Sequence, residues 1–394
     1  MFFLLHGQPV RCLARLLLGF SGCNSQHIDK TLITSRSHMR KNIIVAMASL
    51  AFLPAVSFAA APTLSDVLDA SGISVTGHAS GSWAYSHLSA DGPTGSGSLT
   101  QNQFTFDQAE LTISKLPTEG FGALVDVYAG QDVSGGTYNY GAASVFPTGT
   151  FNKFGAGDTG SVNLHQAYVQ YASGGLTVIG GKFATLAGYE VASDAANFNA
   201  TRSILFSQQA FTLTGVRAGY KFNDIVTAYA GLSNSASGAT TEGNNQKTVE
   251  LGLALAPLKG MAVNVTDYRG TDAGAKNNAL DLVASYAIGD LTLAYNGDYN
   301  TSKVAGATTK FLGHALYADY QINAKLRAGV RGEIVHGWTT GSGGGTGKEV
   351  TLTGGYSPVK NFDLVSDLRY GQLLPGGGAG AHETDFVVKA VYKF

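Results

Sequence analysis

The sequence predicts an all-β fold, a transmembrane, antiparallel, up-and-down β-barrel of sixteen strands, and three observations predict it. First, the last nine residues alternate strictly. Phe386, Val388, Ala390, Tyr392 and Phe394 form one apolar face that ends on an aromatic, and Lys389 and Lys393 lie on the other. Such a strand can sit in lipid only if its cations turn toward water enclosed by the protein. Second, only 13% of the 394 residues are charged, Gly is abundant at 52, Pro is scarce at 9, and mean hydropathy is +0.06. Apolar residues are therefore scattered through the chain rather than gathered into spanning helices. Third, alternating runs fill the chain from residue 72 onward, and the connections between them are short and long in turn, as in a barrel with both termini at one end.

Residues 1–38 read as an over-extended start, because Met39-Arg40-Lys41 opens a complete secretory leader. The apolar run Ile43 to Ala61 contains Pro54 and ends in Ser57-Phe58-Ala59, a small-residue site for cleavage after Ala59 or Ala60. Residues 39–59 are thus expected to be a signal peptide and 60–71 a short polar periplasmic segment; Pro54 and the cleavage site weigh against a retained anchor helix. Phe20-Ser21-Gly22-Cys23 loosely resembles a lipidation box, but the Phe does not suit it and a second leader follows. Cys12 and Cys23 both fall in the over-extended start, so the mature chain would hold no thiol, as suits export through an oxidising compartment. Without residues 1–59 the chain keeps 20 basic and 26 acidic side chains, a net charge of −6, and no basic excess points to nucleic acid.

The barrel is expected over 72–394. Its runs fall near 72–87, 103–115, 120–130, 162–172, 175–186, 208–222, 225–235, 247–256, 260–269, 278–287, 290–301, 309–321, 325–336, 348–356, 361–371 and 383–394. Short turns are expected at 116–119, 173–174, 223–224, 257–259, 289–290, 323–324 and 358–360. Long connections rich in Gly, Ser, Thr and Asn are expected at 88–102, 131–161, 187–207, 236–246, 270–277, 302–308, 337–347 and 372–382. Strands of uniform length without a fixed sequence period weigh against soluble sandwiches and a solenoid.

Side-chain parity separates two faces. Strand thirteen sets Leu326, Ala328, Val330 and Ile334 against Arg327, Arg331 and Glu333. Strand fifteen sets Phe362, Leu364, Leu368 and Tyr370 against Asp363, Asp367 and Arg369, and strand eleven sets Leu291, Leu293, Tyr295 and Tyr299 against Thr292, Asn296 and Asp298. Strands ten and eight place Asp281 and Glu250 opposite rows of Leu, Val and Tyr. A charge on the lipid face at mid-bilayer costs about 2 to 4 kcal/mol, so this sorting argues for a wet interior. The expected pore-lining set is Arg217, Glu250, Asp281, Asn296, Asp298, Arg327, Arg331, Glu333, Asp367, Arg369 and Lys389. Arg331, Arg369 and Lys389 fall at similar depths, which gives either a basic stretch of wall or cations neutralised by Glu333 and Asp367. Two residues break the pattern: Lys182 shares parity with Leu176 and Val178, and His314 with Leu312 and Leu316, so each is expected at a bulge or a rim.

Five segments in order, Phe106 to Leu111, Gln166 to Tyr171, Gly181-Lys182-Phe183 with Gly188-Tyr189-Glu190, Thr201-Arg202-Ser203 with Leu205-Phe206, and Thr214 to Arg217, resemble the OmpL-like putative beta-barrel porins. The resemblance implies an outer-membrane pore and supplies no catalytic residues. Sixteen strands also enclose an aqueous channel rather than a filled core. By analogy with general porins, whose loop at this position folds inward, Glu190, Asp194 and Arg202 on the loop 187–207 are constriction candidates, with an ordinary surface loop as the alternative. The terminal strand, with Phe386, Tyr392 and Phe394, resembles the signal read by the barrel assembly machinery of Gram-negative bacteria.

Enzyme signals are weak. His87-Leu88-Ser89 has the spacing of outer-membrane phospholipases but lacks the Asn-Gly after the Ser. Gly341 to Lys348 superficially resembles a phosphate-binding loop, with Ser342 where Gly belongs and Glu349 where Ser or Thr belongs, so a flexible outer loop is expected there. No cofactor or metal is expected. The reading is a porin in the outer membrane of a Gram-negative bacterium, passing small hydrophilic solutes and ions by diffusion. A barrel enzyme and a closed structural or adhesin barrel are the alternatives. Expected partners are outer-membrane lipid, those solutes and the assembly machinery, with a homotrimer left open by the sequence.

Overall fold

The computed structural model describes residues 64–90, 97–130, 162–235, 245–272, 274–341, 343–375 and 380–394. The expected start and leader, and the long connection 131–161, lie outside the described residues. The segment expected to be merely polar contains a two-turn helix, α1 (Leu64–Ser71). Gly72, at φ +69°, ends it: its N–H reaches the Asp69 carbonyl at 3.2 Å and the N–H of Ile73 reaches Leu68 at 3.2 Å, which together satisfy carbonyls the helix leaves open.

Sixteen strands follow and close into one antiparallel barrel in which each pairs with its sequence neighbours. They are β1 (Ser74–Ala90), β2 (Gly97–Lys115), β3 (Gly120–Ala129), β4 (Val162–Ser173), β5 (Leu176–Ala184), β6 (Thr212–Lys221), β7 (Val226–Ser233) and β8 (Thr248–Leu255). The second half holds β9 (Met261–Asp272), β10 (Ala275–Ile288), β11 (Leu291–Val304), β12 (Ala307–Gln321), β13 (Leu326–Thr339), β14 (Gly343–Val359), β15 (Phe362–Pro375) and β16 (Ala381–Lys393). Closure leaves no unpaired edge, which lipid would not tolerate. The seam pairs β1 with β16 from His78↔Lys393 to Ala90↔Ala381. Beyond it, Gly77 and Phe394 exchange both backbone hydrogen bonds, at 3.1 and 3.0 Å.

The outward face is apolar and the inward face polar. Phe104, Val169, Leu251, Leu316, Leu352 and Tyr392 are exposed on the outside, whereas Glu250, Asp281, Asp298, Arg331, Asp367 and Lys389 are buried within. Two bulges add polar groups to the inside. Register shifts at Ser80/Gly81, which lets Asp107 and Gln108 both be buried, and at Asp126/Val127, which buries His165 beside Gln166.

Two expectations change. The connections expected at 270–277, 302–308 and 337–347 are not long loops. The flanking strands extend into them, ending at Asp272, Val304 and Thr339 and resuming at Ala275, Ala307 and Gly343. The stretch that resembles a phosphate loop is thus largely the first part of β14. Secondly, no register shift accompanies Lys182 or His314. Lys182 lies near the end of β5, the rim alternative rather than a bulge, and is only 7% exposed. His314 stands in mid-strand on the outward parity, with its Nδ1 2.8 Å from the Tyr295 hydroxyl, so one polar group satisfies the other.

Candidate functional site: a loop folded across the barrel

The segment between β5 and β6 enters the barrel and fastens to its wall. Irregular backbone enclosed by protein must find partners for its N–H groups, and the inward side chains provide them. Gly188 N–H donates to Asp281 at 3.1 Å and Tyr189 N–H to Asn296 at 3.1 Å. Thr201 N–H donates to Asp367 at 2.8 Å, and Asp194 N–H to the Gln108 side chain at 2.9 Å. The N–H groups of Ile204 and Leu205, which open a 3-10 turn over Leu205–Gln208, both donate to Glu333, at 2.7 and 3.0 Å.

Charges lock the same segment. Asp194 lies 2.8 Å from the Lys389 ammonium and 3.1 Å from Arg202, and accepts a 2.7 Å hydrogen bond from Ser80. Burial alone would raise its pKa, but the Lys389 and Arg202 charges and the Lys389 and Ser80 hydrogen bonds outweigh burial and bring it down to about 2. Glu190 accepts from Arg331 at 2.9 Å and from the backbone and hydroxyl of Ser203. Tyr189, pushed up to about 12 by burial and by Asp319 and Glu190, stays a neutral donor to Asp319.

Apolar contacts complete the docking. Leu205 is enclosed by Ala315, Tyr317 and Val335, and Phe206 packs edge-on against Phe211 in a cluster with Tyr128. Ala200 meets Ala84, Val365 and Val387.

Each residue singled out by alternation can now be located. Arg331, with no exposed surface, joins Glu190 to Glu349, and Arg369 holds the other oxygen of Glu349 at 2.7 Å. Lys389 meets Asp194 and, at 3.5 Å, Asp107. The three cations are therefore matched by carboxylates, but not by the two that the sequence suggested: Glu333 caps the 3-10 turn, and Asp367 accepts from Thr201 and Thr353. Arg217 pairs with Glu250 at 2.6 Å and stacks over Phe183. Asp281, Asn296 and Asp298 form a separate cluster tied to the loop through Gln209. Arg327 stands apart, facing a cavity below the loop.

Glu349, Asp107, Asp319 and Asp385 were not among the inward residues expected from the sequence. Glu349 had a usable signal, since Glu349, Thr351 and Thr353 alternate with Val350 and Leu352. Asp107 had none, because the bulge puts it and Gln108 inward together. His87 bonds Thr100 at 2.8 Å, and the described residues give it no link to Ser89.

Residues 72–394 match the family described as putative beta-barrel porin-2, OmpL-like. No curated protein sequence matches the chain significantly. Among solved structures, the trimer form of in-vitro folded OmpT, an outer membrane protein of Vibrio cholerae, is similar at TM-score 0.54 and 12% identity, covering 82% of this chain and 100% of that one. The outer membrane channel DcaP of Acinetobacter baumannii gives 0.55 at 13% identity, with 82% and 97% covered. An anion-selective porin from Comamonas acidovorans gives 0.52 at 13% identity, with 82% and 99% covered. At such identities the likeness is one of fold.

Proposed function

The chain belongs to the putative beta-barrel porin-2, OmpL-like family, and from that premise we propose that it is an outer-membrane porin through which small hydrophilic solutes and ions diffuse. The observation that carries the reading is the sorting of charge. Glu250, Asp281, Arg331, Asp367 and Lys389 all point into the barrel while its outside is a belt of exposed Leu, Val, Phe and Tyr, an arrangement suited to lipid outside and water within. The docked loop makes it a narrow pore rather than an open one, with Glu190, Asp194 and Arg202 at the constriction. No catalytic step is assigned to it.

The reading includes export by a leader removed after Ala59 or Ala60, insertion by the barrel assembly machinery through the Phe386, Tyr392 and Phe394 face, and a homotrimer, the last supported by the trimeric neighbour. Planar-bilayer recording on refolded protein tests the pore. Stepwise conductance in KCl is expected, and a barrel that folds yet never conducts would favour the closed structural alternative. Intact-mass analysis of membrane material tests the leader, and a first residue before about 57 would refute its removal.

A further inference from the structure

Below the loop, toward the short-turn end, lies a cavity of about 440 Å³ lined by Tyr189 and Phe198 of the loop and by Thr292, Asp319, Arg327 and Asp363 of the wall. Two opposite charges face it without joining. The Arg327 guanidinium makes no hydrogen bond among the described residues, and its Nε is buried without a partner. Its ion-pair contact, Asp363 at 3.9 Å, is already held by Lys393 at 2.7 Å and Ser357 at 2.5 Å. On the neighbouring strand Asp319 accepts one long hydrogen bond, 3.4 Å, from Tyr189. Arg327 is opposite Gln321 and Asp319 opposite Gly329, so the two are diagonal neighbours on the same face.

Phe198 stands beside both. Its ring sits over Gly329, where an added Cβ would come within 2.5 Å of the ring and 2.8 Å of the Asp319 carboxylate, and Arg327 stacks 5.3 Å from the ring centroid. A guanidinium with one long ion-pair contact and no hydrogen bond among the described residues, a carboxylate with one long hydrogen bond and an aromatic wall around one small space complement a molecule that carries a carboxylate, an ammonium and an apolar side chain. A simple anion fits less well, because the lining sets four carboxylates, Glu190, Asp290, Asp319 and Asp363, against two cations, Arg327 and Lys393.

We propose that this cavity is a subsite for zwitterionic α-amino acids, with Arg327 taking the carboxylate, Asp319 the ammonium, and Phe198 with Tyr189 the side chain. The proposal rests on the pore reading, since it names what dwells on the way through.

L-Valine, isobutyrate and isobutylamine share a branched chain and differ in charge, so calorimetric titration of detergent-refolded protein with each separates the possibilities. Valine is expected to bind at least about tenfold more tightly than either, and Arg327→Gln and Asp319→Asn each to weaken valine about tenfold. Arg327→Gln should not weaken isobutylamine, from which it removes only a nearby like charge. Equal binding of the three probes to the wild type would overturn the subsite even if neither variant folds. So would unchanged valine affinity in folded variants. Isobutyrate binding as tightly as valine would replace it with a plain anion site. Calorimetry needs no conduction: absent KCl conductance with retained valine preference sinks the pore reading alone, and conductance without that preference sinks the subsite alone.

Discussion

Glu349 is bonded by Arg331 through one carboxylate oxygen and by Arg369 through the other, and no part of its side chain reaches solvent. Glu349→Gln removes the charge those guanidiniums share and leaves Arg331 with Glu190 as its remaining carboxylate contact. Breaking a buried pair costs about 3 to 5 kcal/mol, and the retained Glu190 puts this variant near the lower end. A lower heat-modification midpoint is expected on gels. In bilayers the added positive charge should move the reversal potential toward anions. Asp194 makes the docking sensitive to acid. Its pKa is depressed from the ordinary 3.8 to about 2 in the folded protein, so its contribution is complete above about pH 4 and is lost as pH falls through about 2. The contribution is roughly 2 kcal/mol. Conductance should rise or turn noisy between pH 4 and 2, and Asp194→Asn should show that behaviour already at neutral pH; a flat pH profile in the wild type would mean that other contacts hold the loop.

Among the elements, the seam between β1 and β16 concentrates the risk, because one missing pair there opens the sheet. Gly77 sits where a Cβ would lie 2.2 Å from the Glu110 carbonyl and 2.7 Å from the Phe394 ring, so Gly77→Val and deletion of Phe394 attack the same closing contact from two sides. Both should cut the heat-modifiable, folded fraction severalfold, while Ala79→Val on the same outward row should not; equal yields from all three would show that the seam does not limit assembly. The strands were legible because an apolar outside and a polar inside impose a period of two along the wall. That constraint ends beyond the apolar belt. Lys303, Val304 and Gly343 to Thr346 are still paired strand, yet both of their faces are polar or featureless, and so the hairpin tips read as loops. The bulges at Asp107 and His165 were hidden for a related reason: an extra residue breaks the alternation at the point where it supplies a polar group. The docking of the loop was legible only in part. Its charges could be named, and Arg202 with Asp194 is a pair within the loop, but the wall partners of Glu190 and Asp194 lie on strands 80 or more residues away, as Gln108 does from Asp194, and no local spacing encodes such a pairing.

At the scale of the molecule, the wall and the loop are unequal partners. The sixteen strands close through their own ladder, seam included, and that ladder does not pass through the loop. Replacing residues 190–203 with a short Gly-Ser linker should therefore leave a folded barrel. The wall groups that the loop now covers, Arg331, Asp367 and Lys389 among them, would be left without their loop partners. Such groups are costly when stranded in a dry interior, but here removal of the cover admits water, which solvates them instead. The loss of stability should accordingly be smaller than for Glu349→Gln, where the surroundings stay closed. Conductance should increase severalfold. Selectivity should come to follow the bare wall and shrink at high salt, since the Debye length falls to about 3 Å at 1 M. Bilayer recordings and heat-modification gels on the same preparation decide the matter. Unchanged conductance in a folded deletion variant would place the narrowest point elsewhere, and a deletion variant that cannot fold would make the loop part of the barrel's core.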